Sequence, residues 1–293
     1  MKEQIEKLYK KQKSGRLKAV VICVITYFAM IGIVSMFLGS PFPHKTQILF
    51  METMVNGWIN THGYLLILCG IIGIFVGIGS ILYQILRDFQ QLDRILMEEC
   101  DTKKYLEIME CAVSYGTEIK LKDFQKSVFI LAQQRYVLAL MAEHRFPKAI
   151  AYLQNHWQGK HTTNLYQNTM LNVQLVSSFE NRNKEEFTGL YLKSEKLFRK
   201  NKIFLGEKLF LEGKYGDAVK LLQNITEKTT YHEVRRQYIL AMCYEALKKM
   251  EQATDCMEYV AKYGNTMPCR YAAEQSEQWR RENTSLLSES ITT

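Results

Sequence analysis

The stretch Tyr64–Leu86, YLLILCGIIGIFVGIGSILYQIL, runs for 23 residues without a charge. A bilayer-spanning helix needs about 20 apolar residues, so this run predicts one. Ala19–Gly39 is a second uncharged run, of 21 residues. It exceeds the apolar core of a signal peptide, and no small-x-small cleavage site closes it. Together the two runs predict a transmembrane helical hairpin over residues 19–86. Pro41 and Pro43 stop the first helix and open an external connection at about 40–63. Within it, Ile48 to Trp58 is apolar enough to lie in the interface, with Trp58 at headgroup depth.

The charge pattern orients the hairpin. The chain carries a formal net charge of +8. Residues 1–18 hold seven basic and two acidic side chains, whereas residues 87–293 hold 30 and 27. The excess is therefore a basic leader before a membrane segment, which acts as a topology signal. It predicts an integral membrane protein with both termini cytoplasmic. Few prolines and a Lys/Ile bias point to a bacterial plasma membrane. No basic face is visible on the polar part, so nucleic acid is not an expected partner. Seven cysteines, an odd number with no CxxC, exclude a disulfide framework or zinc site and predict reduced thiols.

Small residues recur at Cys69, Gly73 and Gly77 along the second run, each four apart. Such a ridge lets another helix approach closely. It either packs on the first run, where Ser35 and Gly39 have the same spacing, or joins two copies of the chain as a homo-oligomer.

Past Leu86 the pattern is helical throughout. The chain has only four prolines and 16 glycines, and no alternating run long enough for a strand appears. Asp101 is a predicted N-cap, with Gly116 past the end of that helix; Pro147 and Pro268 sit where first turns begin. The fold class is all-α: the hairpin, then a cytoplasmic helical domain over residues 87–280, then a polar, Ser/Thr-rich disordered tail at 281–293.

An internal repeat sharpens this. LALMAEHRFPKAIAYLQN, starting at Leu138, aligns with EKLFLEGKYGDAVKLLQN, starting at Glu207, with six identities and an offset of 69 residues. The offset is close to two periods of about 34. A unit between them has Phe187 where the others have Ala149 and Ala218, and a further unit places Ala253 in the same register. This resembles the tetratricopeptide repeat, a family of paired antiparallel helices stacked into a superhelix. Gly206, Tyr215 and Ala218 match its eighth, seventeenth and twentieth positions; Ala241, Tyr244 and Ala253 match its eighth, eleventh and twentieth; Phe146 and Ala149 match its seventeenth and twentieth. The resemblance covers roughly residues 123–265 and departs from the pattern at Phe187, where packing is expected to be looser or shifted.

The resemblance implies a TPR-like α-solenoid that binds a protein or peptide on its concave face. Carried over by position, that face holds Gln134, Leu138, Asn172, Phe179, Glu207, Phe210, Tyr238 and Glu245. The carboxylate clamp of some relatives is not matched, because Gln134, Asn172 and Ile203 stand at its leading positions. No HExxH, GxSxG or Walker loop occurs. His156 and His161 are five apart, which does not place both on one helix face, and no third ligand follows. Catalysis, a cofactor and a metal therefore have no candidate residues. The sequence reads as a membrane-anchored scaffold or adaptor. The alternative is an accessory or sensor subunit of a transport or secretion complex, assembled through its transmembrane helices.

Overall fold

The computed structural model describes residues 5, 6, 9, 20–30, 48–119, 121, 123–198 and 201–276. Most of the basic leader, the second half of the first apolar run, the connection before residue 48 and the Ser/Thr-rich tail lie outside the described residues. Every regular element among the described residues is a helix. The chain divides into two compact units, Lys2–Gln90 and Gln91–Thr293.

In the first unit, α1 is Val20–Met30 and α2 is Ile48–Met97, which continues past the unit boundary. The helix takes in residues 48–63, which the sequence reads as a connection. After Pro43 nothing in that stretch breaks a helix, since no further proline occurs there. Within α2, Ile67–Met97 is long and apolar enough to cross a membrane by length and composition; α1 is apolar but short. The small-residue ridge is buried: Cys69 is 2% exposed, and Gly73 and Gly77 are buried beside it. A Cβ on Gly73 would stand 3.0 Å from the Cys23 carbonyl oxygen of α1, so the two backbones touch there. The other faces are apolar and open, as at Phe28, Ile67, Ile74 and Phe75, each more than half exposed. Ile5 and Tyr9 are buried, so the leader is not wholly a solvated segment.

The second unit is a run of helix pairs. After α3 (Thr102–Glu118) come α4 (Asp123–Ala142) with α5 (Phe146–His156), α6 (Asn164–Glu180) with α7 (Lys184–Phe198), α8 (Lys202–Leu211) with α9 (Tyr215–Gln223), and α10 (Thr230–Ala246) with α11 (Met250–Tyr263). A last helix, α12, covers residues 268–276. From α3 to α11 each helix packs on the next, and α4 packs on α6 and α8 on α10.

One turn recurs between the members of each pair. His144, Arg182, Gly213 and Lys248 have φ of 55°, 55°, 79° and 58°. Each donates its N–H to the carbonyl three residues back, and the next residue donates to the carbonyl five back: His144 to Met141 and Arg145 to Leu140, through to Lys248 to Glu245 and Lys249 to Tyr244. This Schellman closure satisfies carbonyls that a helix end leaves free. Cys100, at φ 52°, holds the corresponding place before α3. The first helices α6, α8 and α10 begin on side-chain caps, Thr163, Asn201 and Thr229, whereas α5, α9 and α11 begin without one. The left-handed residue sets those starts instead.

The fifth residue after each left-handed one is fully buried: Tyr105, Ala149, Phe187, Ala218 and Ala253 are all 0% exposed. Phe187 therefore occupies the same register as the alanines, edge-on to Phe179 with ring centroids 6.3 Å apart. Its extra bulk is absorbed by an aromatic cluster. The α8–α9 pair is tight at Gly206, where a Cβ would stand 2.7 Å from Leu222 Cδ2. Gly206→Val is predicted to overpack this α8–α9 crossing and cost about 1–3 kcal/mol. Gly213→Ala meets nothing within 4 Å but must hold φ 79°, at about 1–2 kcal/mol. Thermal melts followed by circular dichroism check both, and the first should lose several degrees.

Candidate functional site

The inward faces of α4, α6, α8 and α10, with the last turns of α2, enclose a cavity of about 450 Å³. That is within the ordinary range of ligand pockets, about 300–1,000 Å³. Its wall alternates apolar and polar groups. Met97, Leu138, Ile203 and Phe204 supply the first kind, and the amides of Gln134, Asn168 and Asn172 the second.

Two arginines reach this wall, each held by one carboxylate. Arg135 on α4 donates Nε to Asp93 Oδ1 at 2.9 Å and Nη2 to Oδ2 at 2.9 Å. Tyr105 donates its hydroxyl to the same Oδ1 at 2.7 Å, so the carboxylate is well satisfied. Arg235 on α10 pairs with Glu207 on α8, and its guanidinium lies 5.6 Å from the Phe204 ring centroid. Glu207 is 0% exposed, and its Oε2 has no hydrogen-bond partner. Burial pushes its carboxyl up from 4.5 to about 7, against the pull of Arg235. Beside them, burial and Arg235 hold the His232 imidazole down at about 4, and Thr229 Oγ1 lies 2.7 Å from its Nδ1.

The residues predicted for the concave face divide into two groups. Gln134, Leu138 and Asn172 line the cavity. Phe179 and Glu207 are buried, and Phe210, Tyr238 and Glu245 are half-buried and off its wall. Phe179 and Phe210 meet edge-on at 6.0 Å, and Arg182 from the α6–α7 turn lies 5.0 and 4.9 Å from their centroids. The side chains that sequence reasoning missed are Asp93, Asn168, His232, Arg135 and Arg235. On α6 and α10 the cavity opens toward the N-terminal halves, whereas the positional rule selects Phe179, Tyr238 and Glu245 further along. Asn168 lies one turn before Asn172, so the i, i+4 spacing is a usable signal. His161 stacks on Tyr166 at 4.4 Å between ring centroids. Among the described residues no group of three His, Cys, Asp or Glu converges on a metal site, and all seven cysteines are free.

The buried charges make stability depend on pH in opposing ways. For Glu207 the folded pKa, about 7, is above the ordinary 4.5, so the folded state binds more protons in between and stability falls as pH rises through that window. For His232 the folded value, about 4, is below 6.5, so the unfolded state binds more protons and stability rises over pH 4–6.5. The two contributions oppose each other where their windows overlap. His232→Asn is predicted to unmask a melting temperature that falls from pH 5 to pH 7, and Glu207→Gln one that rises; flat profiles in both would refute this assignment. No protein-family model, no curated protein and no solved structure matches the chain.

Proposed function

We propose that this chain is a membrane-anchored scaffold or adaptor, with a TPR-like array of helix pairs that binds a segment of a partner protein. The observation that carries the reading is the cavity on the first-helix faces. Gln134, Asn168 and Asn172 line it, and no hydrogen bond to these side chains occurs among the described residues. An amide offers both donors and acceptors, which suits the free N–H and C=O groups of a bound peptide. Arg235 and the Asp93–Arg135 pair add charge that fixes orientation. No nucleophile, base and orienting group come together on the wall, so binding is the reading rather than turnover.

The anchor is a two-span hairpin made of α1 with the outer first run and the apolar part of α2. Its support is the exposed apolar surface of both helices. Side chains such as Phe28 and Phe75, at 65% and 71% exposed, form a patch that water disfavours and lipid solvates. The basic leader favours an orientation with both termini in the cytoplasm. Anchoring raises the effective concentration of a partner that also resides at the membrane. An accessory subunit assembled through the ridge of Cys69, Gly73 and Gly77 draws less support, because α1 already covers Gly73.

Crosslinking and pull-down from native membranes tests the binding. Gln134→Leu combined with Asn172→Leu leaves partner groups unpaired, at about 1–3 kcal/mol each, so recovery of the partner should fall at least about tenfold. Unchanged recovery sinks the groove. Loss on Gly73→Leu instead would favour the accessory subunit. Orientation has its own check, in a chain whose native cysteines are replaced by serine. A membrane-impermeant thiol reagent should reach Thr46→Cys from outside intact cells, and labelling only after lysis would reverse the topology.

A further inference from the structure

The cavity wall carries its charge unevenly. Of the residues lining it, Arg135 and Arg235 are cations and Asp93 is a carboxylate. His232, held down at about 4, is uncharged at neutral pH. The two arginines differ in how they are matched. Arg135 meets Asp93 fork to fork, Nε to Oδ1 and Nη2 to Oδ2, both at 2.9 Å, the geometry in which the two charges answer each other best. Arg235 has no carboxylate facing it on the wall. Its counterion is Glu207, which is 0% exposed and does not line the cavity.

Glu207 holds one side of that guanidinium only. Nε, at 2.9 Å, and Nη2 both donate to Oε1, and Nη1 makes no hydrogen bond among the described residues. An arginine has five N–H donors in a fixed fork, so the Nη1 edge of this one is open. The side chain is 15% exposed, and the Phe204 ring flanks it, with its centroid 5.6 Å away. Ring and carboxylate together fix the plane of the group before anything binds. Burial pushes the Glu207 carboxyl up to about 7, so at neutral pH it answers only part of the arginine's charge. A hydrogen bond to a cation in such a low-dielectric place is stronger than one in water. The first turn of α8, through Ile203 and Phe204, and that of α10, through Tyr231 and His232, reach the same wall, and helix starts add partial positive charge.

We propose that Arg235 anchors an aspartate or glutamate side chain of the bound partner segment. The proposal rests on the partner-binding reading above and supplies its sequence requirement. A carboxylate brings the single negative charge that the wall leaves unmatched, and its oxygens accept from the open edge of the fork. A phosphoryl group fits less well, since it brings up to two charges to a wall that already holds Asp93. A lysine or arginine of the partner would meet Arg235 as a like charge, which is unfavourable at an interface. An acidic side chain, unlike a chain terminus, also lets the segment run on past its anchor. Its N–H and C=O groups then reach Gln134, Asn168 and Asn172, which line the same cavity.

The test uses the full chain in detergent micelles and random hexapeptides, acetylated and amidated so that no terminal charge remains. Peptides retained on the immobilised chain are sequenced by mass spectrometry. Those with a single Asp or Glu should be enriched several-fold over the input mixture. A retained peptide, labelled with fluorescein and followed by anisotropy, should weaken at least about tenfold when its acidic residue becomes the amide. Glu207→Gln combined with Arg235→Gln removes both charges, so neither is stranded, and that chain should bind the acid and amide peptides equally. Where the double variant loses its helical circular dichroism, the two peptides on the native chain carry the test. Three results overturn the proposal while the partner-binding reading stands: retained peptides without an acidic preference, equal binding of acid and amide forms by the native chain, or discrimination that survives in the double variant. Enrichment that climbs with every further acidic residue also overturns it, as general attraction to a net positive chain. So does a preference seen only in hexapeptides with a free C-terminus, which moves the anchor to a terminal carboxylate. Retention of no peptide overturns the partner-binding reading and the proposal with it.

Discussion

A single backbone conformation repeated along the array governs the second unit: one left-handed residue between the two helices of each pair. It closes two carbonyls of the first helix and fixes the start of the second. Three of the four inter-helix turns place His144, Arg182 or Lys248 there, and only one uses glycine. A non-glycine residue at such a φ is disfavoured by the Cβ, so the rest of each pair must hold it. The holding contact lies five residues on, at Ala149, Phe187, Ala218 and Ala253, each 0% exposed. Turn and crossing are coupled: the turn sets the angle at which the second helix leaves, and the buried residue sets how near it comes.

Much of this is legible in the residues. Ala149, Ala218 and Ala253 give the register because small side chains at a backbone crossing cannot be replaced freely. The apolar runs give a membrane-length helix within α2 because charge is excluded over a long stretch. What is not legible is informative. Phe187 breaks the alanine pattern and by itself predicts a looser pair, yet it shares the register because Phe179 and Tyr191 pack around it. Tertiary partners of that kind have no trace in local sequence. The α2 start is also hidden. Residues 48–63 lack a breaker but also lack the uninterrupted apolarity that marks the segment after them, so composition separates what the backbone joins.

The wall of the cavity shows the same division. Gln134, Leu138 and Asn172 are readable because they sit at fixed intervals on first helices. Asp93 with Arg135, and Glu207 with Arg235, are not, because each pair joins two elements and pairing depends on how they pack. Glu207 is the more consequential. A carboxylate buried with a single cation and an open oxygen is costly relative to apolar packing, and its raised affinity for a proton expresses that cost. Removing either partner strands the other, so the two arginines constrain the array as well as charging its interior.

The seam between Thr102 and Thr266 joins residues 164 apart in an array otherwise built from neighbours. Stacked repeats form locally, pair by pair, as soon as the chain is available. The seam cannot. During synthesis, α3 through α11 are translated before residues 265–271 leave the ribosome. The seam between the two ends of the array is therefore the last of its contacts that can form, after the helix pairs between them are already stacked.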